Sequence, residues 1–242
     1  AILFTYYLFV VPIFRFNLPI GRLSNYTNKK PNTKRLVSFT HEDIFIFFKG
    51  KFLTMADLNL TAEVNGINIS YNRYGKGNSR KMILVHGWTG SKELWNSFAP
   101  KLAGNDIDVV SFDLRGGGDS DKPKGDYTHE VFSKDLYELS KHLGWDKFIL
   151  QGQSMGGYIV LDYALRYPET LEKIIPSNTS VYLSRNFFSK LTWKIIVRMY
   201  RKNPPKMMKK MTPSFFQFHV EQELIDEFIE MSLKTDPEAG LK

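Results

Sequence analysis

From Leu58 onward the apolar positions fall into short runs separated by polar loops, and the runs alternate between two periods. Leu58–Val64 and Ile67–Tyr71 flank Asn65-Gly66, a pair suited to a two-residue type I′ turn, and predict an antiparallel hairpin. Lys81–Val85, Asp108–Phe112, Lys147–Leu150 and Leu171–Pro176 have strand length, and Lys81–Val85 lacks the alternation of a half-exposed strand. Between them lie helical patterns. Leu94–Leu102 predicts one helix. A second, capped by Asp126 or Thr128, carries Val131, Phe132, Leu136, Leu139 and Leu143 on one face and stops at Gly144. A third, Tyr158–Leu165, closes at Tyr167-Pro168. Strands alternating with helices imply βαβ units, hence an α/β class with a mostly parallel sheet, flanking helices and an antiparallel hairpin at its start.

The two ends of the chain read differently. Beyond Ser180 the strand pattern stops. Asn203-Pro204-Pro205 interrupts an aromatic stretch, and Val220–Leu233 is amphipathic, with Leu224, Ile225, Phe228 and Ile229 on one face. Residues 181–242 therefore read as a helical lid. At the other end, Ala1–Phe14 is apolar but broken by Pro12 and ended by Arg15, short of the ~20 residues of a membrane span. It also lacks a basic n-region and a cleavage site, so membrane anchoring is the less favoured reading. Residues 17–54 show no sustained period, and ordered patterning begins at the first methionine, Met55. The expected division is a non-core leader over 1–54, upstream or artefactual, a core over 55–180, and the lid.

Charge narrows the function less than the formal net value of +8 suggests. Residues 1–54 hold eight Lys and Arg against two acidic residues, and the remainder carries only +2. No nucleic-acid footprint is left in the body. With no cysteine, disulfides, cysteine-ligated zinc and a thiol nucleophile are excluded, and a reducing, cytoplasmic compartment is expected. Gly116-Gly117-Gly118 lacks the Lys-Ser/Thr of a phosphate loop, and neither a cofactor nor a metal is expected.

Candidate chemistry centres on Gln151-Gly152-Gln153-Ser154-Met155-Gly156-Gly157, between a predicted strand and a predicted helix. Strand, G-x-S-x-G, helix is the pattern of a nucleophile elbow. It sets a serine hydroxyl at the carboxyl end of a strand and above the first turn of a helix, whose dipole favours negative charge. His86, Asp113 and Ser154 all fall at such strand ends, where open α/β sheets bind ligands.

With His86-Gly87-Trp88, Asp113-x-Arg115-Gly116-x-Gly118-x-Ser120-x-x-Pro123 and Gly152-x-Ser154-Met155-Gly156-Gly157 in this order, residues 58–242 resemble the α/β-hydrolase fold superfamily. The branch they resemble holds small esterases, lactonases and cofactor-free haloperoxidases. The resemblance implies that Ser154 is the nucleophile and that the backbone N–H groups of Met155 and Trp88 form the oxyanion hole. His86, Gly87, Gly152 and Gly156 would support the site, and Asp113 and Arg115 would fix their turn. A serine rather than an aspartate argues against the dehalogenase and epoxide hydrolase members, whose covalent intermediate forms on a carboxylate.

The family order also requires an acid and then a histidine after Ser154. The only later histidine is His219, in the lid, and Asp226 and Asp236 lie on or at the end of an amphipathic helix. The expectation is a C-terminally truncated chain, nearly inactive as it stands, with an exposed last strand. Complete, it would be a serine hydrolase acting on a small carboxylic ester or lactone through an acyl-enzyme on Ser154. The alternative is a non-catalytic ligand-binding protein of the same fold.

Overall fold

In the computed structural model of the chain, the described residues are 44–48, 51–125, 127–179, 195–196, 198–215, 221–236 and 239. Seven strands, β1 (Ile44–Phe48), β2 (Lys51–Val64), β3 (Ile67–Tyr74), β4 (Arg80–Val85), β5 (Ile107–Phe112), β6 (Phe148–Gln153) and β7 (Leu171–Ser177), form one sheet. Their order across it is β1-β2-β3-β5-β4-β6-β7. The last four of these strands run parallel. The first three are antiparallel and join them through β3 and β5. This is the expected α/β sheet, with helices α1 (Ala99–Ala103), α2 (His129–His142) and α3 (Met155–Arg166) flanking it.

Local chemistry explains most of these elements. Asn65 and Gly66 take φ of 47° and 76°, the two positive values a type I′ turn requires, and β2 then pairs with β3 from Val64↔Ile67. Met82 and Leu84 of β4 pack in one buried cluster, with Trp95, Ala99 and Val109. Ile83 and Val85 pack in the other, with Phe132, Leu136, Ile159 and Tyr163. A strand covered on both faces cannot alternate, which is why its sequence does not. The Thr128 hydroxyl accepts the Val131 N–H and caps α2, and Gly144, at φ 69°, ends it.

Three expectations change. The helix read over Leu94–Leu102 is a 3₁₀ turn, Lys92–Trp95, followed by the separate α1. Pro100 is the cause: in the first turn of α1 its missing N–H is harmless, whereas an unbroken helix would set its ring against the Asn96 carbonyl. Second, the sheet does not begin at Met55. β1 and the first four residues of β2 fall inside the stretch read as a non-core leader, paired at Phe48↔Lys51, Phe47↔Phe52 and Ile46↔Leu53. Ile44–Phe48 is a run of strand formers too short to register as a sustained period. Third, Asn203-Pro204-Pro205 starts a helix instead of merely ending one. The Asn203 side chain accepts the Lys206 N–H at 3.0 Å, and α4 (Pro204–Phe215) follows.

Among the described residues the chain after β7 holds helix only: short helical stretches before Asn203, then α4, then α5 (Gln222–Leu233). No helix of the described residues is long and apolar enough to cross a membrane. β7 forms one edge of the sheet, and Ile174 and Ile175 are 37% and 43% exposed on it.

Candidate active site

The sheet register brings three strand ends together. Val85 at the end of β4 pairs with Gly152 of β6 on one side and Phe112 of β5 on the other. The residues that follow, His86, Ser154 and Asp113, therefore emerge side by side at the carboxyl ends of three parallel strands.

Ser154 is the hinge between β6 and α3. Its φ of 54° and ψ of −117° lie where non-glycine residues are rare. Neighbours hold it there: its N–H donates to Ser177 O at 3.0 Å, its carbonyl accepts Gly157 N–H at 2.9 Å, and Ser177 Oγ donates to Gly152 O at 3.1 Å. The flanking glycines are needed for close approach. A Cβ on Gly156 would lie 2.5 Å from the carbonyl oxygens of both Val85 and His86, and one on Gly152 would lie 2.2 Å from Gly156 O. Gly87 lets the neighbouring loop close in as well; its Cβ would come within 3.1 Å of Ser154 Cβ.

His86 is fully engaged. Leu114 N–H donates to its Nε2 at 3.0 Å, so that nitrogen accepts, and Nδ1, 2.7 Å from Gly87 O, is assigned the proton. Burial lowers its pKa, opposed by the Asp113 carboxylate, so the ring is held neutral. Its work is to join the His86-Gly87-Trp88 loop to the turn after β5. That turn is fixed by Asp113, whose carboxylate accepts the Lys92 N–H and the Asp119 N–H and pairs with buried Lys92 Nζ at 3.0 Å. Arg115 is paired in the same way with Asp135 of α2.

The helical segment after β7 returns to these loops. The Trp88 ring packs against Tyr200, with centroids 5.2 Å apart and planes tilted by 59°, and its Nε1–H donates to Ala239 O at 3.1 Å. Tyr200 is fully buried and donates to the carbonyls of Ser232 and Thr235 at 3.1 and 3.4 Å. Burial, with a smaller push from Asp236, raises its phenol to about 12. Asp236 N–H bonds Gly116 O at 2.7 Å, and Ala239 fills the space a side chain at Gly116 would need. A cavity of about 10 Å³, room for roughly one water, remains among Gly87, Trp88, Leu114, Met155, Thr235 and Ala239.

Residues 81–238 match the alpha/beta hydrolase fold family. The chain belongs to this family. Among curated relatives of this α/β-hydrolase-fold chain, the proline iminopeptidase of Saccharolobus solfataricus is 35% identical over 136 residues, covering 52% of this chain and 44% of the relative. A soluble epoxide hydrolase of Corynebacterium sp. is 34% identical over 113 residues, covering 47% and 38%. The chain thus spans less than half the length of either. Among solved structures, the esterase EaEST from Exiguobacterium antarcticum superposes with a TM-score of 0.69 at 21% identity, over 74% of this chain and 69% of its own.

Within this fold the residues singled out from sequence lie at two adjacent places: His86, Gly87 and Trp88 on the loop after β4, and Gly152, Ser154, Met155 and Gly156 at the junction of β6 and α3. No described histidine bonds Ser154: His86 is engaged as above, and the rings of His129 and His142 lie against Tyr158 and Tyr71. His219 lies outside the described residues. Asp226 is exposed and accepts a bond from Gln222, a solvated helix position. Among the described residues no cluster of His, Asp and Glu could hold a metal ion. The sequence reading missed Tyr200, Thr235 and Ala239. The only signal near them, Thr235-Asp236-Pro237, marks the end of a helix without saying where the chain goes next.

Proposed function

We propose that the protein is a serine hydrolase of small carboxylic esters or lactones, working through an acyl-enzyme on Ser154. The observation that carries this reading is the strained Ser154 backbone at the β6–α3 junction, pressed against the His86-Gly87-Trp88 loop. Such strain persists only where surrounding structure enforces it, and it projects one hydroxyl from a helix N-terminus. In this reading Ser154 Oγ bonds to the acyl carbon and loses its proton to a base. The carbonyl oxygen becomes an oxyanion, the alkoxide leaves, and water releases the acid. Met155 opens α3, where the first N–H groups have no partner within the helix, and with Trp88 N–H it would receive the oxyanion. Loss of one such donor typically costs ~10²–10³ in rate.

Since both His86 ring nitrogens are engaged, the reading places the base and its carboxylate outside the described residues. The segment after β7 would act as a lid, and its buried Met and Tyr cluster favours an apolar acyl group. The hydrolase names of the relatives support the reaction class, and the lack of cysteine supports a cytoplasmic setting.

The test is hydrolysis of p-nitrophenyl butyrate, with fluorophosphonate labelling, by the protein from its full reading frame and by Ser154→Ala. Turnover and labelling should both vanish in the variant; turnover that survives sinks the proposal. A second reading, a ligand-binding protein without catalysis, draws on the lack of a histidine partner for Ser154 among the described residues. It predicts no turnover and a ligand affinity that Ser154→Ala leaves unchanged.

A further inference from the structure

The near-neutral charge of the chain beyond residue 54 conceals a segregated stretch. Residues 173–220 hold ten Lys and Arg and no Asp or Glu. The chain is helical at 195–196 and 198–202, and α4 follows. In the first piece Ile195, Arg198, Met199 and Lys202 stand at i, i+3, i+4 and i+7, one face of a helix, and all four are exposed. Ile195 is 51% exposed and Met199 42%. In α4 the exposed face repeats the spacing with Lys206, Lys209 and Lys210. The inner faces are committed to the protein: Ile196 and Tyr200 of the first piece, and Met207, Met208 and Met211 of α4, enter one cluster against Trp88 and α5. Both outer faces therefore belong to the side of the segment away from that cluster. Among the described residues no ion pair reaches their five bases.

Like charges gathered without counter-charges repel one another, and apolar side chains set among them are costly in water. A surface that is both anionic and apolar beneath offsets both costs. We propose that the outer face of residues 195–210 is a docking surface for a bilayer carrying anionic lipid headgroups. The bases would lie at headgroup level, and Ile195 and Met199 would enter the boundary between headgroups and acyl chains, as in helices that lie in the membrane interface. The helices rest on the bilayer and do not span it, in keeping with the lack of any membrane-crossing helix among the described residues. The apolar pair decides between polyanions. A nucleic acid would reward the bases alone, with aromatic rings for stacking, and this face carries no aromatic side chain among the described residues. The inference stands apart from the ester or lactone reading, since it requires no chemistry at Ser154.

The test is flotation of the protein from its full reading frame with vesicles of phosphatidylcholine, alone or mixed with phosphatidylglycerol. The protein should rise with the mixed vesicles and stay behind with phosphatidylcholine alone. Binding should weaken at about 1 M salt, where the screening length falls to ~3 Å. Each base near an anionic surface contributes roughly fivefold to partitioning, so Lys202→Gln, Lys206→Gln and Lys209→Gln combined should lower it about 100-fold. Arginine at the same three positions should retain it. Ile195→Ser with Met199→Ser should lower it about tenfold, through lost apolar burial. These side chains are exposed, so every variant should keep the wild-type melting temperature. A wild type that does not float with the mixed vesicles overturns the inference. So does a glutamine variant that floats as well as the wild type, because binding would then come from elsewhere, such as the basic residues within 1–54. A serine variant that floats undiminished, or a DNA duplex that displaces the vesicles, would make the face a general polyanion site, and the membrane reading would fall.

Discussion

Acid should destabilise this protein through His86. The ring is 2% exposed, accepts the Leu114 N–H at Nε2, and has no place for a second proton without breaking that bond. Burial pushes its pKa below the ordinary 6.5; Asp113, the Gly87 carbonyl and Glu93 pull the other way, and Lys92 adds to the lowering. The unfolded chain takes up a proton that the folded one refuses. The stabilising contribution is therefore complete above 6.5 and is lost as pH falls from there toward the folded value. The slope is one proton's worth, up to about 1.4 kcal/mol per pH unit while the folded ring stays neutral. The comparison is urea unfolding, followed by tryptophan fluorescence, of the wild type and His86→Gln between about pH 7.5 and about pH 5. The amide oxygen of glutamine can accept the Leu114 N–H but cannot titrate. Titrating groups that do not interact with His86 are common to both proteins and cancel. At neutral pH the variant should be less stable by about 1 kcal/mol or more, the worth of a buried hydrogen bond made with poorer geometry. That gap should shrink or reverse in acid. A gap that stays constant across the range would mean that His86 is not held neutral, and the assigned tautomer would be wrong.

Two more perturbations bear on the loops around Ser154. Gly156→Ala would force a methyl within 2.5 Å of two backbone carbonyls that cannot rotate aside, so a loss of about 3 kcal/mol or more, or failure to fold, is expected by urea denaturation. Tyr200→Phe removes the donor to the Ser232 and Thr235 carbonyls and should cost about 1–3 kcal/mol. It should also shift the fluorescence of Trp88, whose ring packs against Tyr200; an unchanged spectrum would contradict that contact.

How much of this could be read from the sequence depended on the range of each interaction. The Asn65-Gly66 turn, the Thr128 cap and the Gly144 stop are decided within a few residues, and their sequences state them. The apolar run of β4 was legible because burial on both faces leaves no polar position to alternate with. Pro100 was misjudged because a proline tolerated in a first turn was read as lying inside a longer helix. Ile44–Phe48 was passed over because five residues carry strand propensity without period. The motif around Ser154 was legible because tight backbone contact leaves a glycine signature. Gly152 and Gly156 mark places where a Cβ would meet main chain, and any sequence that makes this turn must show them. Tyr200, Thr235 and Ala239 leave no such mark, since a buried tyrosine or alanine can pack against almost any partner.

The long-range half of the site has its own consequence. The bond from Trp88 to Ala239 spans 151 residues, and with Tyr200 it fixes the ring of a residue proposed to supply an oxyanion donor. Ion pairs also link the two parts: Lys234 lies 3.7 Å from both Glu93 and Asp119, which buried Lys92 holds in place. The side chains of these two outer pairs are a third to a half exposed, so those contacts contribute little. The docking is carried instead by the burial of Tyr200 and Ala239, and by the Asp236 N–H bond to Gly116. Packing of this kind is short-ranged and does not deform gradually. A substitution that displaces the segment would move the Trp88 loop as a unit. Substitutions at Tyr200 or Ala239 should therefore alter activity at constant motif sequence.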